Sequence, residues 1–72
     1  RYFIAEDQGY VTIYQGIRES FGPFVFNRVY ERTEISVDSL NSYQQQLVER
    51  SISGESLEDI INKLATLQEV GN

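Results

Sequence analysis

Hydrophobic and polar residues alternate along the first half of the chain with a period near two, which is typical of β-strands. Residues 2–7 and 10–17 are rich in aromatic and β-branched side chains, and they flank Gln8 and Gly9. Glycine readily takes the positive φ that a tight hairpin turn requires. The pattern therefore predicts a β-hairpin with its turn around these two residues.

Two registers are compatible with this hairpin. A two-residue turn would place Glu6 opposite Val11, whereas a three-residue turn with a bulge would place Ala5 near Val11. The bulged turn would also set Phe3 near Ile13. We favour the bulged turn, because it keeps the Glu6 carboxylate off the apolar face.

A third strand is predicted over residues 24–35, after a longer connection. The connection is marked by small and turn-forming residues: Gly16, Ser20, Gly22 and Pro23. Hydrophobic positions then alternate from Phe24 to Ile35, as in an antiparallel strand with one solvated face. Charged residues at its outward positions would discourage pairing with another edge strand: Arg28, Glu31, Arg32 and Glu34.

The hydrophobic period changes to about 3.6 in the second half, which predicts two helices. The first covers residues 39–50, with Ser36, Asp38 or Ser39 available as its N-cap. Its apolar positions are Leu40, Tyr43, Leu47 and Val48. Residues 51–55 interrupt the helical pattern, with Gly54 as the flexible point.

The second helix begins after Ser56 and ends before Gly71. Ser56 and Asp59 have the spacing of a capping box, and Asp59 with Lys63 forms a favourable i,i+4 pair. One apolar stripe runs along the helix: Leu57, Ile60, Ile61, Leu64 and Leu67. The predicted fold class is α+β, a three-stranded antiparallel sheet with two helices packed on one face, in a two-layer sandwich.

The inventory of residue types limits the chemistry available to the chain. It has 72 residues, of which 6 are basic and 11 acidic, and it contains no histidine and no cysteine. Disulfides, thiolate zinc sites, imidazole bases and serine–histidine triads are therefore excluded. The net charge of −5 disfavours nucleic acid as a partner, because phosphate binding depends on clustered basic side chains. We predict a domain that is not an enzyme, with no cofactor and no metal site.

Aromatic residues are concentrated at one end of the sequence, since eight of the nine fall within the first thirty positions. Only one face of a strand pair can meet the helices, so some of these rings should be partly exposed, as in recognition surfaces. The predicted ligand-binding residues are Tyr10, Tyr14, Phe21 and Tyr30. The alternative is that these rings serve cross-strand packing alone.

Two other classes of function stay open. The carboxylates of Glu6 and Asp7, or those from Glu55 to Asp59, would bind a metal ion if the chain were an enzyme fragment. An exposed strand edge would instead make it a structural spacer or a dimerisation module. The chain begins within a strand pattern and contains no methionine. We therefore expect one small domain, residues 1–72, cut from a longer protein.

The order of five segments resembles a known family. The segments are residues 2–4 (YFI), 9–17 (GYVTIYQGI), 33–40 (TEISVDSL), 46–48 (QLV) and 56–59 (SLED). They are similar to the C-terminal extracytoplasmic domain of actinobacterial membrane-anchored serine/threonine protein phosphatases of the metal-dependent 2C type. The chain departs from that family at Ser51, where the family tends to have glycine.

The resemblance implies a parent protein with a cytosolic phosphatase domain and a single membrane span, and it places this domain outside the cell. There it would be a non-catalytic sensor or interaction domain that modulates signalling by binding a protein, peptide or cell-envelope ligand. The metal-binding aspartates of the phosphatase correspond to no residue here. A second resemblance, to the C-terminal domain of the bypass-of-forespore regulator of spore-forming bacteria, implies a secreted module for signalling between proteins.

Overall fold

The computed structural model describes the fold of residues 1–70 and the side chains of residues 1–68. Gly71, the predicted end of the second helix, lies outside the described residues. The fold is α+β, with four antiparallel strands in the order β3-β2-β1-β4 and two α-helices. The elements are β1 (Tyr2–Asp7), β2 (Tyr10–Phe21), β3 (Phe24–Ser36), α1 (Ser42–Arg50), β4 (Ile52–Gly54) and α2 (Leu57–Val70), with a 3-10 turn at Val37–Ser39.

The prediction of three strands was wrong, because the interruption between the helices is itself a strand. In β4, Ile52 pairs with Ile4 and Gly54 pairs with Tyr2. Three residues are too few to show a strand period in the sequence. Gly54 is buried here, and a Cβ on it would lie 2.7 Å from a side-chain carbon of Ile60. The glycine therefore allows β4 to pack closely against α2.

The first hairpin has the two-residue turn, so the favoured bulged register was wrong. Glu6 pairs with Val11, and Ala5 pairs with Thr12. Gln8 and Gly9 both have positive φ, at 53° and 89°, as a type I′ turn requires. The Glu6 carboxylate nevertheless remains exposed, because it accepts a 2.7 Å hydrogen bond from the Gly9 N–H at the end of the sheet.

The second hairpin replaces the long connection that the sequence predicted. β2 continues without a break to Phe21, which pairs directly with Phe24 across a two-residue turn. Gly22 supplies a positive φ of 60° at the first turn position, and the ring of Pro23 fixes a negative φ at the second. That combination is typical of a type II′ turn, which matches the twist of the strands.

An irregularity near Gly16 divides this hairpin into two parts. Between the pairs Gly16↔Asn27 and Ser20↔Val25, β2 has three residues where β3 has one. The Asn27 side chain donates a 2.8 Å hydrogen bond to the carbonyl of Ile17 within the bulge. Before this point β2 lies between β1 and β3, and beyond it β2 pairs with β3 alone.

Gly16 itself is required by a close approach of backbones. It has φ of +121°, and a Cβ there would lie 2.1 Å from the carbonyl oxygen of Phe26. Its N–H donates a 2.7 Å hydrogen bond to the carbonyl of Arg1. A side chain at this position would force the backbone of residue 16 away from the backbone of Phe26, so glycine is needed here.

The hydrophobic core lies between one face of the sheet and the two helices. Ile4 and Ile13 are direct partners across β1 and β2, so they share that face with Val11. Seven buried hydrophobic residues form the cluster: Ile4, Val11, Ile13, Leu40, Val48, Ile60 and Leu67. Each fully buried side chain of this size contributes roughly 1.5–3 kcal/mol, so this layer is a large favourable term in folding.

α1 begins at Ser42 rather than at residue 39, because its N-cap is Asn41 and not one of the predicted residues. Asn41 and Gln44 exchange hydrogen bonds of 2.8 Å in a capping box. Gln44 is also fully buried and donates a 2.7 Å hydrogen bond to the carbonyl of Leu67 in α2. An amide therefore joins the helices, while Tyr43, predicted to face the core, is exposed.

The start of α2 confirms its predicted cap. The Ser56 hydroxyl accepts a 3.1 Å hydrogen bond from the Asp59 N–H, and Asp59 pairs with Lys63 at 3.4 Å. Ile60 is fully buried, but its neighbour Ile61 is exposed, so the core-facing stripe is narrower than predicted.

Ser51, the C-cap of α1, has φ of 72° and ψ of 140°, close to a region that glycine alone occupies freely. Such a backbone costs a non-glycine residue about 1–3 kcal/mol. Substitution by glycine would remove this strain. It would also make the unfolded chain more flexible, which offsets roughly 0.4–1 kcal/mol of the stabilisation. We predict that Ser51→Gly raises the free energy of unfolding by about 1 kcal/mol, as measured by urea denaturation.

Ser53→Gly is the matched control, because Ser53 lies two residues away with ordinary strand geometry. It should lower the free energy of unfolding by roughly 0.5–1 kcal/mol. Equal losses in both variants would contradict strain at Ser51.

Candidate functional site

The structure does not bring the four predicted ligand-binding residues together. Tyr10 begins β2, beside the first hairpin turn, and Phe21 ends β2, beside the second turn. Both side chains are exposed. At about 3.3 Å per residue, the eleven steps between them amount to roughly 35 Å, too far apart for one small ligand to contact both.

Tyr14 and Tyr30 lie on opposite faces of the sheet. Tyr14 stacks on Phe3 with ring centroids 4.8 Å apart, whereas Tyr30 meets Tyr2 edge to face at 5.6 Å. Tyr2 and Phe3 are consecutive in β1, so their side chains point to opposite faces. These two rings therefore serve cross-strand packing, and each belongs to a separate surface.

Tyr14 is partly buried, with charged side chains nearby. Partial burial raises the pKa of Tyr14 above its ordinary value, and the negative charge of Asp7 adds to the rise. Asp7 itself forms an ion pair with Arg32, the partner of Thr12 across β2 and β3. A neutral phenol at physiological pH cannot serve as a general base, so this group is suited to packing and hydrogen bonding.

Three of the carboxylates considered as metal ligands make contacts within the protein. Glu6 accepts the N–H of Gly9, whereas Asp7 pairs with Arg32. Asp59 pairs with Lys63 and accepts a 3.3 Å hydrogen bond from the Glu55 N–H. Among the residues whose side chains are described, no three acidic groups converge as metal ligands would.

The most distinctive surface is the end of the second hairpin, residues 20–26, which we call the arm. It extends beyond β1 and pairs only within itself. Every residue in it is exposed, and none of them is charged. A two-stranded ribbon buries little of its own surface, so the arm presents its side chains to the surroundings.

Three phenylalanines form one face of the arm. Phe21 and Phe24 are direct partners, and Phe26 lies two residues further along β3, so all three point the same way. The ring centroid of Phe26 lies 5.9 Å from that of Phe21 and 6.5 Å from that of Phe24. The rings remain 61%, 65% and 50% exposed in chain order. We call this set the phenylalanine face.

The sequence prediction included Phe21 but missed Phe24 and Phe26. Both were assigned to the start of a strand after a long connection, which separated them from Phe21. The signal that finds them is Gly22-Pro23 as a two-residue turn, because such a turn pairs residue 21 with residue 24.

The exposed phenylalanine face is large for a chain of this size. A phenylalanine side chain can bury about 150–250 Å², so three rings exposed by half or more leave roughly 300 Å² of apolar surface. Contiguous patches of about 300–600 Å² are the largest on typical monomers and are often functional. The residues that contact each other on the arm therefore form the candidate binding site.

The arm is held to the body of the protein at its base. Arg18, within the bulge, donates a 3.0 Å hydrogen bond to the carbonyl of Arg50 at the end of α1. A cation near a helix C-terminus is also favoured by the helix dipole. This contact links the base of the arm to the end of α1.

We predict a small effect on stability for substitution of Phe21 and a large one for substitution of Tyr14. Phe21→Ser should change the free energy of unfolding by less than about 0.5 kcal/mol, because the ring is mostly exposed. Tyr14→Ala should lower it by about 2 kcal/mol, because it removes a half-buried ring stacked on Phe3. Thermal and urea unfolding measure both, and equal losses would show that the Phe21 ring packs against the fold.

Comparison of the chain with protein-family models, curated proteins and solved structures gave no match. Within the described residues, no helix has the length and apolar content that crossing a bilayer demands. The function must therefore be inferred from the surface of the molecule itself.

Proposed function

We propose that this chain is a non-catalytic interaction domain that binds a protein partner through the arm. The observation that supports the proposal is the phenylalanine face, three exposed rings on an uncharged hairpin that projects from the body of the protein. Aromatic anchors of this kind dominate the binding energy of protein interfaces. The rigid two-residue turn limits the entropy lost when the arm enters a groove.

The size of this face determines how much of the interface it can supply. Burying roughly 300 Å² at about 25 cal/mol per Å² gives about 8 kcal/mol, which is comparable to the 4–15 kcal/mol lost on association. Three rings alone therefore give weak binding. A stable complex also needs contacts beside the arm, to reach about 800 Å² on each partner.

We further propose that the parent protein is a membrane-anchored bacterial serine/threonine protein phosphatase of the metal-dependent 2C type. This domain would then lie outside the cell and modulate signalling on binding a protein, peptide or envelope ligand. The positive φ of Ser51 supports the resemblance, because the family tends to have glycine there. A secreted signalling module like the C-terminal domain of the bypass-of-forespore regulator is the alternative, and the arm would serve either protein equally.

Photo-crosslinking at the arm tests the binding function. We predict that p-benzoylphenylalanine in place of Phe26 forms one discrete protein adduct on irradiation in the native host, because the ring lies in the interface. An excess of the chain without the photo-crosslinker should compete for the partner and suppress the adduct. An excess of the double variant Phe21→Ser/Phe24→Ser should not suppress it. The same group in place of Ile61 is the control, because Ile61 is exposed to the same degree, 51% against 50%, on α2.

Several results would contradict the proposed protein partner. These results are equal yields of protein adduct at positions 26 and 61, no adduct at position 26, and adducts that contain lipid but no protein.

The gene that encodes the chain tests the proposed parent. We predict that the coding sequence upstream of Arg1 contains a membrane span preceded by a phosphatase domain with its metal-binding aspartates. DNA sequencing of the native locus measures this directly. A continuous globular domain with no span would contradict the phosphatase assignment and leave the arm as a binding site unaffected.

A further inference from the structure

A polar cleft opens beside the base of the arm. Its volume is about 460 Å³, and its walls are the bulge of β2, the start of β1, the segment from Arg50 to Glu55 and the first turns of α2. Cavities that hold small molecules are usually about 300–1,000 Å³. The cleft therefore has the size of a binding site, and it does not include the phenylalanine face.

Basic residues are concentrated in this cleft. Four of the six basic residues of the chain line it: Arg1, Arg18, Arg50 and Lys63. Only three of the eleven acidic residues do so: Glu19, Glu55 and Asp59. The cleft is thus net positive in a protein whose net charge is −5, so an anion meets a more favourable potential there than on the acidic remainder of the surface.

Hydrogen bonds to backbone carbonyls hold two of the basic side chains in the cleft. Arg18 donates to the carbonyl of Arg50 at 3.0 Å, and Lys63 donates to the carbonyl of Ser53 at 2.6 Å. Lys63 also lies 3.4 Å from Asp59, so these two charges offset each other. The other cationic side chains retain their charge for a ligand.

Arg18 and Arg50 both line the cleft, and neither has a counterion among the described residues. In the described part of the chain, the ion pairs are Asp7–Arg32 and Asp59–Lys63, and neither involves these two arginines. Positive side chains that line one cleft raise the local concentration of anions there. The planar donor sets of the two guanidinium groups match the oxygens of phosphate and carboxylate groups, which they bind in pairs.

We infer that this cleft binds an oxyanion group, phosphate or carboxylate, of a small ligand, with Arg18 and Arg50 as the main donors. Arg1 lines the same wall as the bulge and adds a third positive charge. Glu19 and Glu55 at the cleft limit the charge that the ligand can carry, which disfavours a polyanion such as nucleic acid. The inference is independent of the arm and of any partner bound there.

NMR titration with inorganic phosphate tests the inference. At constant ionic strength and pH 7, we expect saturable amide shifts confined to residues 16–19 and 50–55. Arg50→Gln should weaken phosphate binding about tenfold, and Arg18→Gln should do the same. Arg28→Gln is the matched control, because it removes the same charge from β3 and lies outside the cleft, where Arg28 donates to the side chain of Gln15.

Arg50→Gln is the decisive variant. The Arg50 guanidinium makes no hydrogen bond to the described residues, so its removal leaves the base of the arm intact. A parallel titration with succinate, whose charge at neutral pH is close to that of phosphate, distinguishes the sources, since tighter succinate binding assigns carboxylates and tighter phosphate binding assigns phosphate. Shifts that do not saturate, or an equal loss of affinity in Arg28→Gln, would overturn the site.

Discussion

The arrangement of this protein depends on the absence of a side chain at Gly16. Because a Cβ there would lie 2.1 Å from the carbonyl of Phe26, only glycine lets β2 pass so close to β3. Beyond that point β2 leaves β1, the bulge forms, and the hairpin continues as the arm. The bulge also supplies one wall of the polar cleft. The position of both candidate binding surfaces thus follows from one close contact between backbones.

Sequence periodicity was sufficient where a segment is long and packs on one side. The α+β class and the presence of the first hairpin were predicted correctly for this reason, and the cap of α2 at Ser56 was predicted from the spacing of Ser56 and Asp59. It failed where local backbone geometry decides the outcome. Gln8 has the positive φ of a type I′ turn, and the sequence gives no sign of this because such a φ is usually found at glycine. β4 has too few residues to show a strand period. At the start of α1, the caps proposed from sequence were Ser36, Asp38 or Ser39, whereas the reciprocal hydrogen bonds of Asn41 with Gln44 set the N-cap.

The candidate site was predicted in part. The expectation of exposed aromatic rings in the first thirty residues led to Phe21, which does lie on the arm. Tyr10, Tyr14 and Tyr30 are distributed over two faces and the opposite end of the sheet, because a strand places alternate residues on alternate faces. The cleft could not be found by motif, since its basic residues come from four separate segments. Only the fold brings them together.

The two edges of the sheet differ in how they are protected. β4 has three residues, and its Ser53 carbonyl already accepts a hydrogen bond from Lys63, so another strand gains little by pairing there. Among the described strands this leaves β3 as the edge that a second copy could join, although its charged side chains disfavour such pairing. A molecule with one usable edge can form a closed pair and has no second edge from which a filament could grow. The brevity of β4 therefore sets an upper limit on edge-to-edge assembly, even at high concentration.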